Sequence, residues 1–161
     1  MNAKEKEFAR LISEHKETIY TICLMNAADQ DEAQDIMQEV LINLWRSLNS
    51  YRGECNIRTW IWRISTNTCI TYYRKEKKQR ETLKLDVQDL LKVDDEDNRQ
   101  IQMLHNRVYR LRPFDRAVVL LWMENLSYEE IGQILGISAK NVSVRLFRIK
   151  EQLRQMSNPE N

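Results

Sequence analysis

Residues 127–154 read SYEEIGQILGISAKNVSVRLFRIKEQLR and carry the signals of two short helices joined by a tight turn. Ser127 and Glu130 have the spacing of a capping box, which begins a helix. Gly136 predicts the turn, because glycine accepts the left-handed backbone that ends many helices. Ser138 is a favoured N-cap for the second helix. The stretch therefore predicts a helix-turn-helix, in which a second glycine, Gly132, lets the helices approach closely.

The second helix of this motif is basic and has a distinct apolar face. Its predicted core positions follow helical spacing: Val142, Leu146, Ile149 and Leu153. Its outward positions are Lys140, Asn141, Ser143, Val144, Phe147, Arg148 and Lys150. A recognition helix reads base edges with its first turns, which here contain Lys140, Asn141 and Ser143. Cations further along the helix are predicted phosphate contacts: Arg145, Arg148 and Lys150.

The composition favours an all-α protein of two small domains. Only three glycines and two prolines occur in 161 residues, and the apolar residues repeat at helical spacing. The formal net charge is only +1, but basic and acidic segments alternate along the chain. An acidic stretch without an apolar stripe has the composition of a linker. We predict domains at 1–80 and 100–161, joined by an acidic linker at 81–99, with the helix-turn-helix in the second.

No catalytic, metal or cofactor site is predicted. Cys23, Cys55 and Cys69 are too widely spaced for a zinc site, and we expect them to be reduced. His15 and His105 have no nucleophile and acid arranged around them. We therefore expect a protein that is not an enzyme and has no small-molecule substrate. The charged N-terminus and the lack of long apolar runs predict a cytoplasmic location.

A second patterned helix lies at residues 31–48. One face is apolar: Ile36, Met37, Val40, Leu41, Leu44, Trp45 and Leu48. The opposite face combines acidic and amide groups with an outward isoleucine: Asp35, Gln38, Glu39 and Ile42. Such a face is either a plain solvated surface or a protein-docking surface, and the pattern alone leaves both open.

A third helix, beginning near Ile57, places an aromatic residue, an amide, an isoleucine and two cations on one strip: Trp60, Arg63, Asn67, Ile70 and Arg74. Rings stack on unpaired bases, amides read their edges and cations hold phosphates, so the strip fits melted DNA. The loop before it, with Tyr51 and Arg52 at its tip, is a candidate base pocket. Alternatively both tryptophans belong to the core; at least one of Trp60 and Trp62 is expected to be buried.

Two long segments resemble one protein family. Residues 35–75, DIMQEVLINLWRSLNSYRGECNIRTWIWRISTNTCITYYRK, resemble region 2 of the bacterial extracytoplasmic-function sigma factors. Residues 111–153, LRPFDRAVVLLWMENLSYEEIGQILGISAKNVSVRLFRIKEQL, resemble region 4 of the same family. The resemblance covers both predicted domains and implies a factor that binds core RNA polymerase and directs it to promoter DNA.

The resemblance assigns a role to each candidate surface. It implies that Asp35, Gln38 and Glu39 dock on the polymerase, beside Ile42. It implies that region 2 opens the −10 element, with Tyr51 lining the pocket of a flipped base and Asn67 recognising that base. Region 4 would read the −35 element with the helix 139–150. The resemblance further implies an anti-sigma factor, in a membrane-anchored form, as an inhibitory partner.

Three other interpretations remain from the residues alone. An autonomous helix-turn-helix regulator would bind duplex DNA without polymerase. An enzyme acting on nucleic acid, such as a recombinase, would need a nucleophile or metal cluster that the pattern lacks. A pure interaction module would leave the basic second helix, with Asn141 in its first turn, unexplained.

Overall fold

The computed structural model describes residues 2–80 and 96–156, and every regular element in those ranges is helical. The seven α-helices are α1 (Ala3–Met25), α2 (Gln30–Ser47), α3 (Ile57–Arg80), α4 (Glu96–Tyr109), α5 (Pro113–Met123), α6 (Tyr128–Leu135) and α7 (Ala139–Met156). A short 3-10 helix, Leu48–Ser50, follows α2. The predicted all-α fold is confirmed. No helix in the described ranges is both long and apolar enough to cross a membrane.

The chain divides into two compact units, Met1–Cys69 (unit 1) and Ile70–Asn161 (unit 2). The division falls within α3, so the predicted domain limits of 1–80 and 100–161 stay predictions. Residues 81–95 of the predicted linker lie outside the described residues. Its last four residues are helical because α4 begins at Glu96.

Unit 1 is built around α1 and α2, which pack together through their apolar faces. Asn2 caps α1 by accepting the Glu5 amide at 2.8 Å, and Asp29 caps α2 by accepting the Glu32 amide at 2.8 Å. These caps satisfy amides that a helix start leaves without partners. The centre of the predicted α2 stripe is fully buried: Ile36, Val40 and Leu44.

The third helix is tied to α2 by a polar contact as well as by apolar packing. The Asn43 side-chain amide donates to the Thr68 hydroxyl at 3.0 Å, and that hydroxyl donates to the Ile64 carbonyl at 2.6 Å. Ile61 and Trp62, which lie on α3 like Thr68, are buried. The contact therefore contributes, together with the apolar packing, to the orientation of α3 against α2.

Unit 2 has α5 as its most apolar helix. Pro113 begins it, a position where the missing proline amide costs nothing. Its core residues Val118, Val119 and Leu121 are buried. A buried arginine, Arg116, donates through Nη1 to the Tyr109 carbonyl at 3.0 Å. The core thus joins α5 to the end of α4 and supports the two helices that follow.

The turn between α6 and α7 has the predicted construction. Ser127 and Glu130 form both bonds of the capping box. Gly136 has φ +76°, and its amide donates to the Gly132 carbonyl at 2.7 Å. A Cβ on Gly132 would clash with the Ile137 carbonyl oxygen, so close approach at this glycine is confirmed. The backbone amide of Asn141 donates to the Ser138 hydroxyl at 3.1 Å, which confirms the second cap.

Replacing Gly136 by alanine should lower the stability of the helix-turn-helix by about 1 kcal/mol, since a left-handed backbone is costly for a residue with Cβ. Gly136→Asn should cost less, because asparagine tolerates this conformation better. Hydrogen exchange of the α6 and α7 amides in the full chain measures both variants. Equal losses for alanine and asparagine would show that backbone conformation is not what the glycine supplies.

Candidate nucleic-acid and protein interfaces

The predicted docking face on α2 is open to solvent. Asp35, Gln38 and Glu39 are all exposed, and Ile42 is 43% exposed at the same side of the helix. The opposite face of α2 is buried in unit 1. Packing of that face against the core therefore turns these four residues toward solvent. An isoleucine exposed beside two carboxylates and an amide combines an apolar anchor with negative charge. That combination suits a basic protein surface.

The loop between α2 and α3 is ordered by its own contacts around Tyr51. The Tyr51 hydroxyl donates to the Cys55 carbonyl, and its ring lies 5.3 Å from the Trp60 ring at an interplanar angle of 45°. Arg52 is exposed, and Gly53 has φ +76°, which allows the tight turn. The tip of the loop therefore has a defined conformation, with a half-buried tyrosine and an exposed arginine.

Trp60 does not belong to an exposed aromatic strip, so that part of the prediction was wrong. Trp60 is 8% exposed and Trp62 is 3% exposed, so both rings are buried. This confirms the expectation that at least one of the two tryptophans is buried. The Tyr51 ring and apolar side chains of α1 and α2 cover Trp60, and the Arg58 guanidinium lies 4.5 Å above the Trp62 ring. Helical spacing could not show this, because the cover over Trp60 comes from a loop and two other helices.

The polar part of the strip is present on α3. Asn67 and Arg74 are exposed, and Arg63 is half-buried, whereas Ile70 of the predicted strip is buried. Thr71, which the sequence interpretation missed, is also exposed and lies one turn after Asn67. Its i+4 spacing from Asn67 was the available signal. The structure thus keeps an amide, a hydroxyl and a cation accessible on α3, whereas the two tryptophans of this helix are buried.

The predicted recognition helix, α7, presents its outward residues as expected. Val142, Leu146 and Ile149 are buried, and the outward side chains are exposed: Lys140, Asn141, Ser143, Val144, Phe147, Arg148 and Lys150. No acidic residue occurs from Ala139 to Lys150. This face is therefore cationic and directed to solvent, as binding to a polyanion requires.

Two of the predicted phosphate-contacting cations on α7, Arg145 and Lys150, are engaged within unit 2. Arg145 Nη1 lies 3.3 Å from Asp115 Oδ1, and its guanidinium lies 4.7 Å above the Phe114 ring. Lys150 Nζ lies 4.2 Å from the centre of the Trp122 ring. Arg145 is thus held against α5, which the sequence could not indicate because Asp115 lies thirty residues away.

Arg148→Ala should reduce the slope of log affinity against log salt by about 0.9, because each phosphate contact releases a counterion. Arg145→Ala should change the slope less, since Asp115 already neutralises that guanidinium. Titrations of the chain and polymerase on duplex DNA from about 50 to 200 mM salt measure both slopes. Equal changes would show that Arg145 leaves Asp115 when DNA binds.

Two family models match the chain, and together they cover well over half of it. The model described as sigma-70 region 2 matches residues 11–79, and the model described as sigma-70, region 4 matches residues 101–153. The chain is 29% identical to RNA polymerase sigma factor SigV of Bacillus subtilis, over 89% of this chain and 86% of that protein. It is 26% identical to the ECF RNA polymerase sigma-E factor of Haemophilus influenzae, over 96% and 89%.

Two solved structures share the fold. The sigma factor RpoE of Bartonella quintana, crystallised with the anti-sigma factor NepR, has a TM-score of 0.77 at 17% identity and covers 97% of this chain and 99% of its own. CnrH in complex with the cytosolic domain of CnrY has a TM-score of 0.69 at 18% identity, over 98% and 91%.

Proposed function

This chain belongs to the sigma-70 family, as a factor of the extracytoplasmic-function type, and we propose that different surfaces of it bind core RNA polymerase, the −10 element and the −35 element. It binds core RNA polymerase and directs promoter-specific initiation of transcription. The observation that carries this proposal is the separation of charge between two exposed faces. The α2 face in unit 1 is acidic and amide-bearing, whereas the first three turns of α7 in unit 2 contain cations and no acid.

The acidic face is the polymerase-docking surface. Asp35, Gln38 and Glu39 supply charge and hydrogen-bonding groups, and the exposed Ile42 supplies an apolar contact. A face of this sign repels DNA, and complementary charge on a protein partner steers encounter and sets orientation. We therefore place DNA contact on other surfaces of the chain.

The loop at Tyr51 and the exposed groups of α3 form the −10 surface. Asn67 reads an unpaired base through its amide, Tyr51 lines the pocket, and Arg52 and Arg74 contact the strand. Extruding a base costs a few kcal/mol of stacking, so the receiving pocket must be rigid. Rigidity is what Trp60 contributes, since its buried ring backs the Tyr51 ring. Arg63, half-buried on the same helix, supports the strand from the side.

The −35 surface is the outward face of α7. Lys140, Asn141 and Ser143 lie in its first turns, where a recognition helix meets base edges. Arg148 and Lys150 follow as phosphate contacts. Arg145 also belongs to this surface, but through its bond to Asp115 it holds the helix at the correct angle. The cap at Ser138 fixes where the helix begins and so which residues enter the groove.

We further propose that an anti-sigma factor inhibits the chain and that the chain acts in the cytoplasm without enzymatic activity. The two solved structures named above were determined with an anti-sigma factor and with the cytosolic domain of a partner, which supports such regulation. Cytoplasmic action follows from the proposed partners, core RNA polymerase and promoter DNA.

Run-off transcription tests the proposal directly. Purified full chain and core polymerase should together produce transcripts with fixed start sites from a library of promoter fragments, and neither component should do so alone. Duplex DNA binding by the chain without polymerase should be weak. Tight binding by the chain alone, together with no initiation, would instead identify an autonomous helix-turn-helix regulator.

A further inference from the structure

The centre of the α7 outward face is apolar. Phe147 is 70% exposed, and Val144, one turn before it, is 43% exposed. Both point away from the buried ridge formed by Val142, Leu146 and Ile149. Large apolar side chains at the middle of an exposed face indicate a surface that is covered when the protein works.

The charges around these two residues indicate what covers them. Lys140 and Arg148 are exposed on the same helix, and the first acidic residue of α7 is Glu151. A cationic border without acids favours a polyanion over a neutral or basic protein surface. In the major groove, the apolar group that a polyanionic duplex offers is the C5 methyl of thymine.

The helix geometry matches adjacent base pairs. Three residues of α-helix rise about 4.5 Å, and successive bases on one strand are about 3.4 Å apart. Val144 and Phe147 are thus offset along α7 by a distance close to one base step. We propose that Val144 and Phe147 select thymine at two neighbouring positions of the −35 element, by packing on the C5 methyl groups. This inference rests on the proposed function and adds base identity to it.

Deoxyuridine tests the proposal because it pairs like thymine but lacks the methyl group. Each −35 thymine of a transcribed promoter is replaced singly, and binding by polymerase carrying the full chain is measured. We expect a loss of about fourfold at each of two neighbouring positions, the effect of one buried apolar carbon. Val144→Ala and Phe147→Ala should each weaken binding to the thymine duplex and become insensitive to deoxyuridine at one of the two positions.

Arg148→Ala serves as the matched control, since it should weaken binding to thymine and deoxyuridine duplexes by the same factor. Thermal unfolding of each variant confirms that the fold is intact, as expected for substitutions of exposed residues. Unchanged wild-type binding to every deoxyuridine duplex would overturn the thymine assignment while leaving the proposed function in place. If the variants bind promoter DNA as the wild type does but no longer bind an acidic protein, the face is a protein-binding surface. The thymine assignment is then also overturned. Absence of transcription from every promoter would overturn both proposals.

Discussion

Asp35→Arg is expected to weaken binding of the full chain to core RNA polymerase by at least about thirtyfold. Losing one partner of a close charge pair at an interface costs about 2 kcal/mol or more, and reversing the charge adds repulsion. Asp35 is exposed on α2 beside Gln38 and Glu39, and the buried stripe of that helix is unaffected by the change. Polymerase affinity and run-off transcription should therefore fall together while the fold persists.

Glu17→Arg provides the matched control for this prediction. Glu17 is an exposed acid on α1, so the substitution makes the same change in net charge away from the α2 face. It should leave polymerase affinity within about twofold of the wild type, because an exposed charge outside an interface contributes little. Retained affinity in Asp35→Arg would refute the docking face, and an equal loss in both variants would assign the effect to net charge.

Local signals in the sequence predicted the helices and the helix-turn-helix correctly. Capping at Ser127 and Ser138 and the left-handed turn at Gly136 depend on neighbouring residues, so the chain order contains the information they need. The apolar stripe of α2 was likewise predictable, because burial follows helical periodicity when one face meets a core. The same argument predicted which α7 side chains face outward.

Features that depend on residues distant in sequence were not predictable in this way. Trp60 lies on the same helical strip as Asn67, yet the Tyr51 loop and α1 cover it, so periodicity placed a buried ring on an exposed face. Arg145 was grouped with the predicted phosphate-binding cations, because its bond to Asp115 joins residues thirty positions apart and is not visible in the sequence. Pairings of this kind arise from packing between helices, which a single sequence does not display.

The exposure of Asn67 leads to a second large expected effect, on the −10 element. Asn67→Ala should slow open-complex formation at the preferred promoter by about tenfold or more, since a good amide-to-base contact contributes about 1–3 kcal/mol. Discrimination among the four bases at one −10 position should shrink by the same factor. Binding of the holoenzyme to a duplex containing only the −35 element should not change.

Asn141→Ala is the reciprocal variant, because it removes the same amide from an exposed position on α7. It should alter base preference in the −35 element and leave −10 discrimination intact. The pair separates recognition by α3 from recognition by α7 with one chemical change, measured on promoter libraries randomised at each element. If both variants lose activity without any change in base preference, neither amide reads a base. In that case specificity comes from the shape of the DNA and from contacts to its backbone, which depend on cations such as Arg74 and Arg148.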